Sequence, residues 1–309
     1  MLEQSFHSLL SRRLQLHDGQ VMGSGVELNS TVKEDWTALA RVADTAQRPA
    51  KVALVGKYTS QLDSYLSVIS ALKHACIATE QQLDLVMVES SHLEEQVREE
   101  SPGLYDDAWT KLTSADAVLV PGGFGIRGIE GKISAIKYAR EKKVPFLGIC
   151  LGMQACVIEY SRTFLGKPTA NSREFAPDIT DDNSAIVFMP EVSKEQLGGT
   201  MRLGARRTLL RQHSRVHELY GFQDEIVERH RHRYEVNPSF VSPLEEKGLL
   251  FSGRDDTHER MEAVELAAHE HPYFVAVQFH PEFVSRPLRP APVFHGLLRA
   301  VQRLQAVPH

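Results

Sequence analysis

The chain contains no apolar run that approaches the roughly 18 residues of a membrane-spanning helix. Its mostly polar N-terminal residues also lack the apolar block of a signal peptide. Cysteine is scarce, and the spacing of the three that occur fits neither a disulfide framework nor a set of metal ligands: Cys76, Cys150 and Cys156. We therefore expect a cytoplasmic protein without structural disulfides and without a metal site.

An excess of basic charge is also missing, because 35 Lys and Arg residues face 40 Asp and Glu residues and the formal net charge is −5. This balance argues against nucleic acid as a partner. The one basic cluster, residues 228–235, is bracketed by two glutamates, and its pattern favours a solvated charged face. The sequence has no internal repeat and no GxxxxGK[ST] phosphate loop. What remains is an ordinary globular composition, 42% hydrophobic and 24% charged.

Strand-like and helix-like segments alternate from residue 51 to residue 162. Short β-rich runs at 51–56, 83–88, 115–120 and 144–149 are separated by stretches with apolar residues at helical spacing. Short strands return at 248–251, 262–267 and 273–279, and a helix is predicted over 293–305. This order predicts an α/β fold, a doubly wound and mainly parallel sheet with helices on both faces. The active site should lie at the carboxyl ends of its strands.

The chain divides into a short N-terminal part and one domain. Residues 1–48 contain an amphipathic stretch, a break from Gly19 to Ser30, and a second helical stretch before Pro49, which together resemble a linker with a helix at either end. The domain spans 49–309. Within it, residues 165–215 are rich in Pro, Gly, Asp and Ser and are interpreted as a mixed insertion that shapes a pocket.

Cys150 lies where a buried strand passes through a glycine-flanked turn into a helix. Gly148 and Gly152, two residues before and two after it, are typical of a strained strand-to-helix elbow that presents a nucleophile. The N-terminus of the following helix favours the thiolate form of the cysteine. Taken alone, this stretch is equally compatible with a buried core cysteine.

His280 and Glu282 supply the base that a thiol nucleophile needs and the group that orients the base. In an extended segment, residues two apart project from the same side, so the carboxylate can reach one ring nitrogen while the other faces the sulfur. We expect Pro281 to hold this backbone extended. The pair directly follows the apolar strand at 273–279, where a parallel sheet places its functional loops.

The glycine loop after the strand at 115–120, Pro121-Gly-Gly-Phe-Gly125, can supply an oxyanion hole. Attack on an amide carbonyl creates an oxyanion that needs backbone N–H donors at about 3 Å. The predicted donors are the N–H groups of Gly123 and of Leu151, directly after the nucleophile.

Together these motifs resemble the class I (triad) glutamine amidotransferases, and their longer forms are similar to the glutaminase domain of CTP synthases. The resemblance covers roughly residues 49–309 and is carried by six stretches in fixed order: Pro121–Gly128, Gly148–Gln154, Asn171–Phe175, Leu197–Gly204, Glu228–Asn237 and Gln278–Glu282. It implies the flavodoxin-like fold of that family. In one departure from the family pattern, Arg173 stands beside Glu174 where threonine is common.

The resemblance implies that Cys150 attacks the side-chain amide of L-glutamine, releases ammonia and leaves a glutamyl thioester. His280 then activates the hydrolytic water while Glu282 orients the imidazole. By the same resemblance, Glu174 binds the α-ammonium group of the substrate and Arg233 its α-carboxylate, which revises the solvated-face interpretation for Arg233. The other implied glutamine-binding residues are Gly123, Phe124, Leu151, Gly152, Met153 and Gln154.

The resemblance also implies partners that this sequence does not contain. In the whole family enzyme, a synthetase domain uses the ammonia, ATP and Mg²⁺ to convert UTP to CTP, GTP activates the glutaminase step, and the enzyme assembles as a homotetramer or filament. Residues 1–48 resemble only the last helix of that domain and the linker. We therefore expect an excised glutaminase domain, with no cofactor of its own and no membrane partner.

Two alternatives stay open at this point. The first is another triad cysteine hydrolase of the same fold, such as a γ-glutamyl hydrolase or an intracellular peptidase-like protein, although the run at 228–235 argues against it. The second is a mainly regulatory or filament-forming surface whose activity is negligible without its partner domain.

Overall fold

The computed structural model describes Arg13, residues 30–189 and residues 201–306. The chain divides into two units, residues 1–45 and residues 46–309. In the first unit, a helix at Ser30–Thr45 confirms the second predicted helical stretch. Apart from Arg13, the first amphipathic stretch lies outside the described residues, as does the break up to residue 29.

Strands and helices alternate through the first half of the second unit. The strands in chain order are β1 Arg48–Gly56, β2 Gln81–Glu89, β3 Ala117–Val120, β4 Phe146–Ile149, β5 Asn171–Ser172, β6 Ser184–Phe188, β7 Arg202–Leu210, β8 Glu225–His232, β9 Tyr234–Val236, β10 Leu250–Asp255, β11 Met261–Glu265 and β12 Phe274–Val277. The helices are Leu66–Ala78, Glu95–Glu100, Pro102–Thr113, Ile129–Lys142, Leu151–Phe164, Arg215–Leu219, Pro238–Glu246 and Pro292–Gln305.

In the described residues, nine strands form one sheet in the order β2-β1-β3-β4-β12-β11-β10-β7-β8. The first five are parallel, and the remaining four extend the sheet in antiparallel fashion. Helices cover both faces, because alternate residues of β1 belong to two different cores. Ala53 and Val55 pack with helices Ile129–Lys142 and Leu151–Phe164, whereas Val52 and Leu54 pack with helices Leu66–Ala78 and Pro292–Gln305. The predicted fold class is confirmed.

The three central strands β3, β4 and β12 are buried along their whole length, as expected for apolar strands covered on both faces. Their register aligns their ends, since Gly148 of β4 lies opposite Val120 of β3 and opposite Ala276 of β12. The loops that follow these strands therefore leave the same edge of the sheet, where parallel sheets hold their ligands.

The antiparallel part corrects one sequence-based interpretation. Strand β8 contains most of the basic cluster, and its side chains alternate between exposed and buried. Glu228, His230 and His232 face inward, whereas only Arg229 and Arg231 face solvent. The solvated-face interpretation is therefore wrong for half of the cluster, because a strand turns every second residue inward. Strands β5, β6 and β9 form a separate three-stranded sheet that includes part of the predicted insertion.

Candidate active site

Cys150 occupies a strained turn between β4 and the helix Leu151–Phe164. Its φ of 52° and ψ of −102° lie in a region that residues with a side chain rarely adopt. A Cβ on Gly148 would lie 2.9 Å from the backbone of Gly152, and one on Gly152 would lie 2.2 Å from the carbonyl oxygen of Val120. The Cys150 N–H donates to Val277 O at 2.7 Å. The predicted elbow is thus present, and both flanking glycines are required by close backbone packing.

His280 and Glu282 meet at the end of β12. Glu282 Oε1 lies 2.8 Å from His280 Nδ1, and each residue is only 8% exposed. The predicted reason for this contact is wrong, since Pro281 begins a short 3₁₀ turn, Pro281–Phe283, instead of holding the backbone extended. The phenyl ring of Phe283 stacks on the imidazole at 5.4 Å. The turn therefore fixes the imidazole from two sides, through the carboxylate and through the ring.

Cys150 and His280 both border Gly122. A Cβ on this glycine would lie 2.8 Å from His280 Cε1 and 3.4 Å from Cys150 Cβ. Burial by itself lowers the pKa of His280, but the interactions of the ring with Cys150 and Glu282 together outweigh burial and raise this pKa to about 10. Because Nδ1 bonds to Glu282, Nε2 is the nitrogen left for the sulfur. The three side chains thus follow one another in the order thiol, imidazole and carboxylate.

The predicted oxyanion loop lies beside the first turn of the elbow helix. A Cβ on Gly123 would be 3.5 Å from Leu151 Cδ2. The N–H of Leu151 belongs to the first residue of the helix, so it has no partner within the helix. Lys57 donates to Phe124 O at 2.6 Å and to Gly125 O at 2.8 Å, and both contacts hold the loop against β1.

The two residues predicted to bind the amino-acid end of the substrate lie on separate segments near this loop. Glu174 accepts a hydrogen bond of 2.8 Å from Gly125 N through Oε1. The phenol of Tyr234 interacts electrostatically with both Glu174 and Arg233. Burial raises the pKa of Tyr234, Glu174 raises it further, and Arg233 lowers it. Phe124 is 46% exposed, and the guanidinium of Arg231 lies 5.6 Å from its ring centre.

Three of the predicted glutamine-binding side chains are almost completely buried, and the first, Leu151, is 1% exposed and belongs to the hydrophobic core. Met153 is fully buried in the core between the sheet and its covering helices. Gln154 is 3% exposed, and its amide donates to Tyr234 O and to Gln278 Oε1, both at 3.1 Å. Only the backbone of Met153 therefore remains available to a ligand, whereas Gln154 uses its NH₂ group to support another residue and keeps its carbonyl oxygen Oε1 for a ligand.

That residue, Gln278, was missed by the sequence analysis. It is fully buried, and its Nε2 donates to Cys150 Sγ at 3.5 Å. The sequence offered one signal, since Gln278 precedes His280 by two residues in the quoted motif. A second residue, Lys132 of the helix Ile129–Lys142, was also missed. It is 1% exposed, and its Nζ lies 3.7 Å from the position of a Cβ on Gly123.

Lys132 is an unusual cation because no carboxylate in the described part of the chain forms a salt bridge with it. Burial is the main cause that lowers its pKa to about 7, and neighbouring Lys57 lowers it further. Glu89, Cys150 and Glu174 act in the opposite direction. The amine is thus close enough to the nucleophile for the charges of the two groups to interact.

A buried acid–base cluster lies behind the site. Burial lowers the pKa of His230 to about 2 and that of His232 to about 3, so both rings are neutral at physiological pH. Arg202 pairs with Glu262 at 2.7 Å, and both side chains are largely buried. Within the described ranges, no group of three or more His, Cys, Asp or Glu side chains is arranged to hold a metal ion. Nor is any helix described there both long and apolar enough to span a membrane.

A family model described as glutamine amidotransferase class-I matches residues 61–300, which is most of the chain. The chain belongs to this family. The resemblance inferred from the motifs is confirmed.

Relatives among characterised proteins narrow this assignment. The chain is 52% identical to CTP synthase 1 of Homo sapiens over 266 residues, which cover 86% of this chain and 44% of that protein. It is 44% identical to CTP synthase 1 of Saccharomyces cerevisiae over 303 residues, 97% of this chain and 52% of that protein. The chain therefore spans about half the length of the curated relatives it matches.

A solved structure gives the same result at the level of the domain. The glutaminase domain of Trypanosoma brucei CTP synthase, with bound acivicin, superposes with a TM-score of 0.74 at 38% identity. The match covers 83% of this chain and 94% of that one. The chain thus contains a glutamine amidotransferase domain homologous to the glutaminase domain of CTP synthase.

Proposed function

We propose that this domain hydrolyses L-glutamine to glutamate and ammonia with a triad of Cys150, His280 and Glu282. The single observation that carries the proposal is the arrangement of the elbow cysteine against an imidazole whose other nitrogen bonds a buried carboxylate at 2.8 Å. A thiol, a base and an orienting carboxylate in this order are the requirements of nucleophilic acyl transfer.

The resting state is a thiolate–imidazolium pair. The raised pKa of His280, about 10, supports this state because the imidazole then keeps its proton at neutral pH. The sulfur attacks the Cδ carbon of the substrate amide, and a C–S bond forms while the carbonyl oxygen becomes an oxyanion. The N–H groups of Gly123 and Leu151 stabilise this charge, because backbone donors beside a turn need no reorganisation when it develops.

Collapse of the tetrahedral intermediate breaks the C–N bond and transfers the His280 proton to the leaving nitrogen. Ammonia departs, and a glutamyl thioester remains on Cys150. The acylated sulfur carries no charge, so it no longer raises the pKa of His280, and the imidazole becomes able to accept a proton from water. The resulting hydroxide equivalent attacks the thioester, glutamate leaves, and the thiolate–imidazolium pair is restored.

Recognition of glutamine uses groups of opposite charge at the two ends of its amino-acid moiety. Glu174 binds the α-ammonium through the carboxylate oxygen that does not accept from Gly125, and Arg233 binds the α-carboxylate. Phe124, Gly152 and the backbone at Met153 line the pocket. The NH₂ group of Gln154 is engaged by Tyr234 and Gln278, so its carbonyl oxygen Oε1 is the atom that meets glutamine.

We further propose a division of the chain into a linker with a terminal helix, residues 1–48, and the glutaminase domain, residues 49–309. The share of its relatives that the chain covers supports a separate synthetase domain as the consumer of the ammonia. ATP and Mg²⁺ in that domain, and GTP as an activator of the glutaminase, are proposed from the resemblance of the motifs. A homotetramer or filament is proposed for the whole enzyme on the same basis.

The test is glutamate and ammonia release by the chain, with and without GTP, together with labelling by a glutamine analogue that carries an electrophilic carbon in place of the amide. We expect glutamine-dependent release and covalent labelling at Cys150, identified by peptide mass spectrometry. Absence of both release and labelling would refute the proposed function. Labelling without release would show a competent nucleophile that depends on GTP or on the partner domain for turnover.

A further inference from the structure

A line of buried amides connects the carbonyl oxygen of Tyr234 to the sulfur of Cys150. Gln154 Nε2 lies 3.1 Å from Tyr234 O and also 3.1 Å from Gln278 Oε1. Gln278 Nε2 then lies 3.5 Å from Cys150 Sγ. Gln154 is 3% exposed and Gln278 is fully buried, so each amide is held inside the protein.

The orientation of both amide groups follows from the carbonyl oxygen of Tyr234, where the line begins. A backbone carbonyl only accepts hydrogen bonds, so the atom of Gln154 that faces Tyr234 O must be the NH₂ nitrogen. The same nitrogen contacts Gln278, whose facing atom must therefore be its carbonyl oxygen. The NH₂ group of Gln278 is consequently directed at the sulfur. The opposite orientation would bring two oxygens together at the Tyr234 carbonyl.

We propose that Gln278 is a further catalytic residue, which donates a hydrogen bond to the Cys150 thiolate, and that Gln154 is the positioning residue that fixes its orientation. An N–H donor near 3.5 Å from sulfur favours the ionised form, because hydrogen bonds to a charged acceptor are stronger than those to a neutral one. The proposal rests on the proposed function, which makes this sulfur the nucleophile.

Some of the other groups around the sulfur favour its neutral form and others favour its ionised form. The carbonyl oxygen of Arg231, at 3.9 Å, can accept only from the protonated thiol and therefore favours the neutral form. The cationic groups that interact with the sulfur in the described part of the chain are His280 and Lys132. The contribution of Gln278 differs from theirs because an amide does not titrate, so it is constant over the whole pH range.

The test measures the rate of Cys150 alkylation by iodoacetamide between pH 5 and 9, followed by peptide mass spectrometry, because this rate reports the thiolate without requiring glutamine. We expect Gln278→Met to slow alkylation at pH 7 about tenfold and to move the profile to higher pH. Gln278→Glu should be slower still, since it places a carboxylate against the sulfur. Gln154→Met leaves Gln278 in place but free to rotate, and should slow alkylation about threefold.

Gln81→Met is the matched control. Gln81 is also a buried glutamine, 2% exposed, but it lies at the start of β2 and accepts from Thr79. The Gln81→Met substitution should lower the thermal unfolding midpoint by about as much as Gln278→Met does, without changing the alkylation rate of Cys150. Cys76 and Cys156, both buried, serve as internal references in each sample.

Folded Gln278→Met protein that alkylates at the wild-type rate would overturn the proposal. If Gln278→Met does not fold, Gln154→Met decides, and an unchanged alkylation rate there would overturn it. A slower rate in either folded variant, with an unaffected Gln81→Met control, supports it. Failure of the proposed function is a separate result, namely a wild-type chain that neither releases ammonia nor accepts the glutamine analogue.

Discussion

Cys150 directly precedes the helix Leu151–Phe164, and Cys156 lies within it. The two are almost equally buried, at 3% and 0% exposure, yet their surroundings differ in kind. Cys156 lies in the hydrophobic core. Burial raises its pKa well above the ordinary value, and the nearby Glu159 raises it further while Arg140 partly opposes this. Cys150 instead has an imidazole, an amide donor and an amine around its sulfur.

The two cysteines show that the burial of a thiol and its activation are separate effects. Burial alone keeps a thiol neutral, because it penalises the charged form. A nucleophile can be equally buried only when donors and cations replace the water that it has lost. At the start of the helix, side chains from two other elements supply these groups. Within the helix, apolar neighbours surround Cys156 and no such donor contacts its sulfur among the described residues.

The largest expected effect comes from truncating each thiol in turn. Cys150→Ala should lower glutamine-dependent ammonia release by about 10⁴-fold or more, since the covalent pathway is lost. Cys156→Ala should leave release within about twofold and destabilise the fold by about 1 kcal/mol through a small core cavity. Circular dichroism on both variants checks the fold. Equal losses of activity would contradict the assigned difference between the two cysteines.

An intermediate effect is expected when the base loses its carboxylate. Glu282→Gln should reduce kcat about 100-fold, because the imidazolium loses its charged partner. In the wild type, the pKa of His280 is raised to about 10. The stability contributed by its protonation is therefore complete below about pH 6.5 and is lost as the pH rises towards 10.

Glu282→Gln should make this loss smaller and move it to lower pH. Thermal unfolding of both proteins from pH 6 to pH 10 measures it. Unfolding curves with the same pH dependence in both proteins would show that Glu282 does not support the charge on His280.

The smallest effect on activity is expected at Lys132, and it should be accompanied by a gain in stability. Its pKa is lowered to about 7, so the fold opposes its protonation. The resulting destabilisation is absent above about pH 10.4, grows as the pH falls, and is complete below about pH 7. Lys132→Met should therefore stabilise the protein by about 1–3 kcal/mol at pH 7, and by less at pH 9.

Lys132→Met should also slow glutamine hydrolysis several-fold below pH 7, where the amine is charged, with little effect above about pH 8. Lys137→Met is the matched control, because Lys137 lies on the same helix with its side chain 57% exposed. It should change stability by less than about 0.5 kcal/mol. A pH-independent loss of activity in Lys132→Met would argue for a packing role instead of a charge.

The parts of the site that were predictable from sequence depend on short spacings at strand ends. The elbow glycines, the His280–Glu282 pair and the Gly123 loop each follow an apolar strand, so strand periodicity and the edge rule for parallel sheets bring them together. Gln278 also follows an apolar strand, but its role was not visible there, and Lys132 has no such signature. The contact of Gln278 with Gln154 joins two elements distant in sequence, and Lys132 has the sequence context of an exposed helical lysine although it is 1% exposed.

The fold, like the site, was only partly predictable from the sequence. The apolar strands β1, β3, β4 and β12 were predictable because burial on both faces leaves a continuous apolar run. Strand β8 was not, because polar side chains occupy its inward positions: Glu228 accepts a hydrogen bond from Tyr220, and the rings of His230 and His232 contact each other. Helical rotation was equally hidden, and it turns the side chain of Met153 into the hydrophobic core.

The backbone at Cys150 sets catalysis against stability at one residue. Its φ of 52° and ψ of −102° belong to a conformation in which glycine is comfortable and every other residue is strained. A sequence selected for thermal resistance alone would place glycine there, and the fold would gain by it. The cysteine persists at a position that the architecture would assign to glycine, so the nucleophile is maintained at the expense of the domain's own stability.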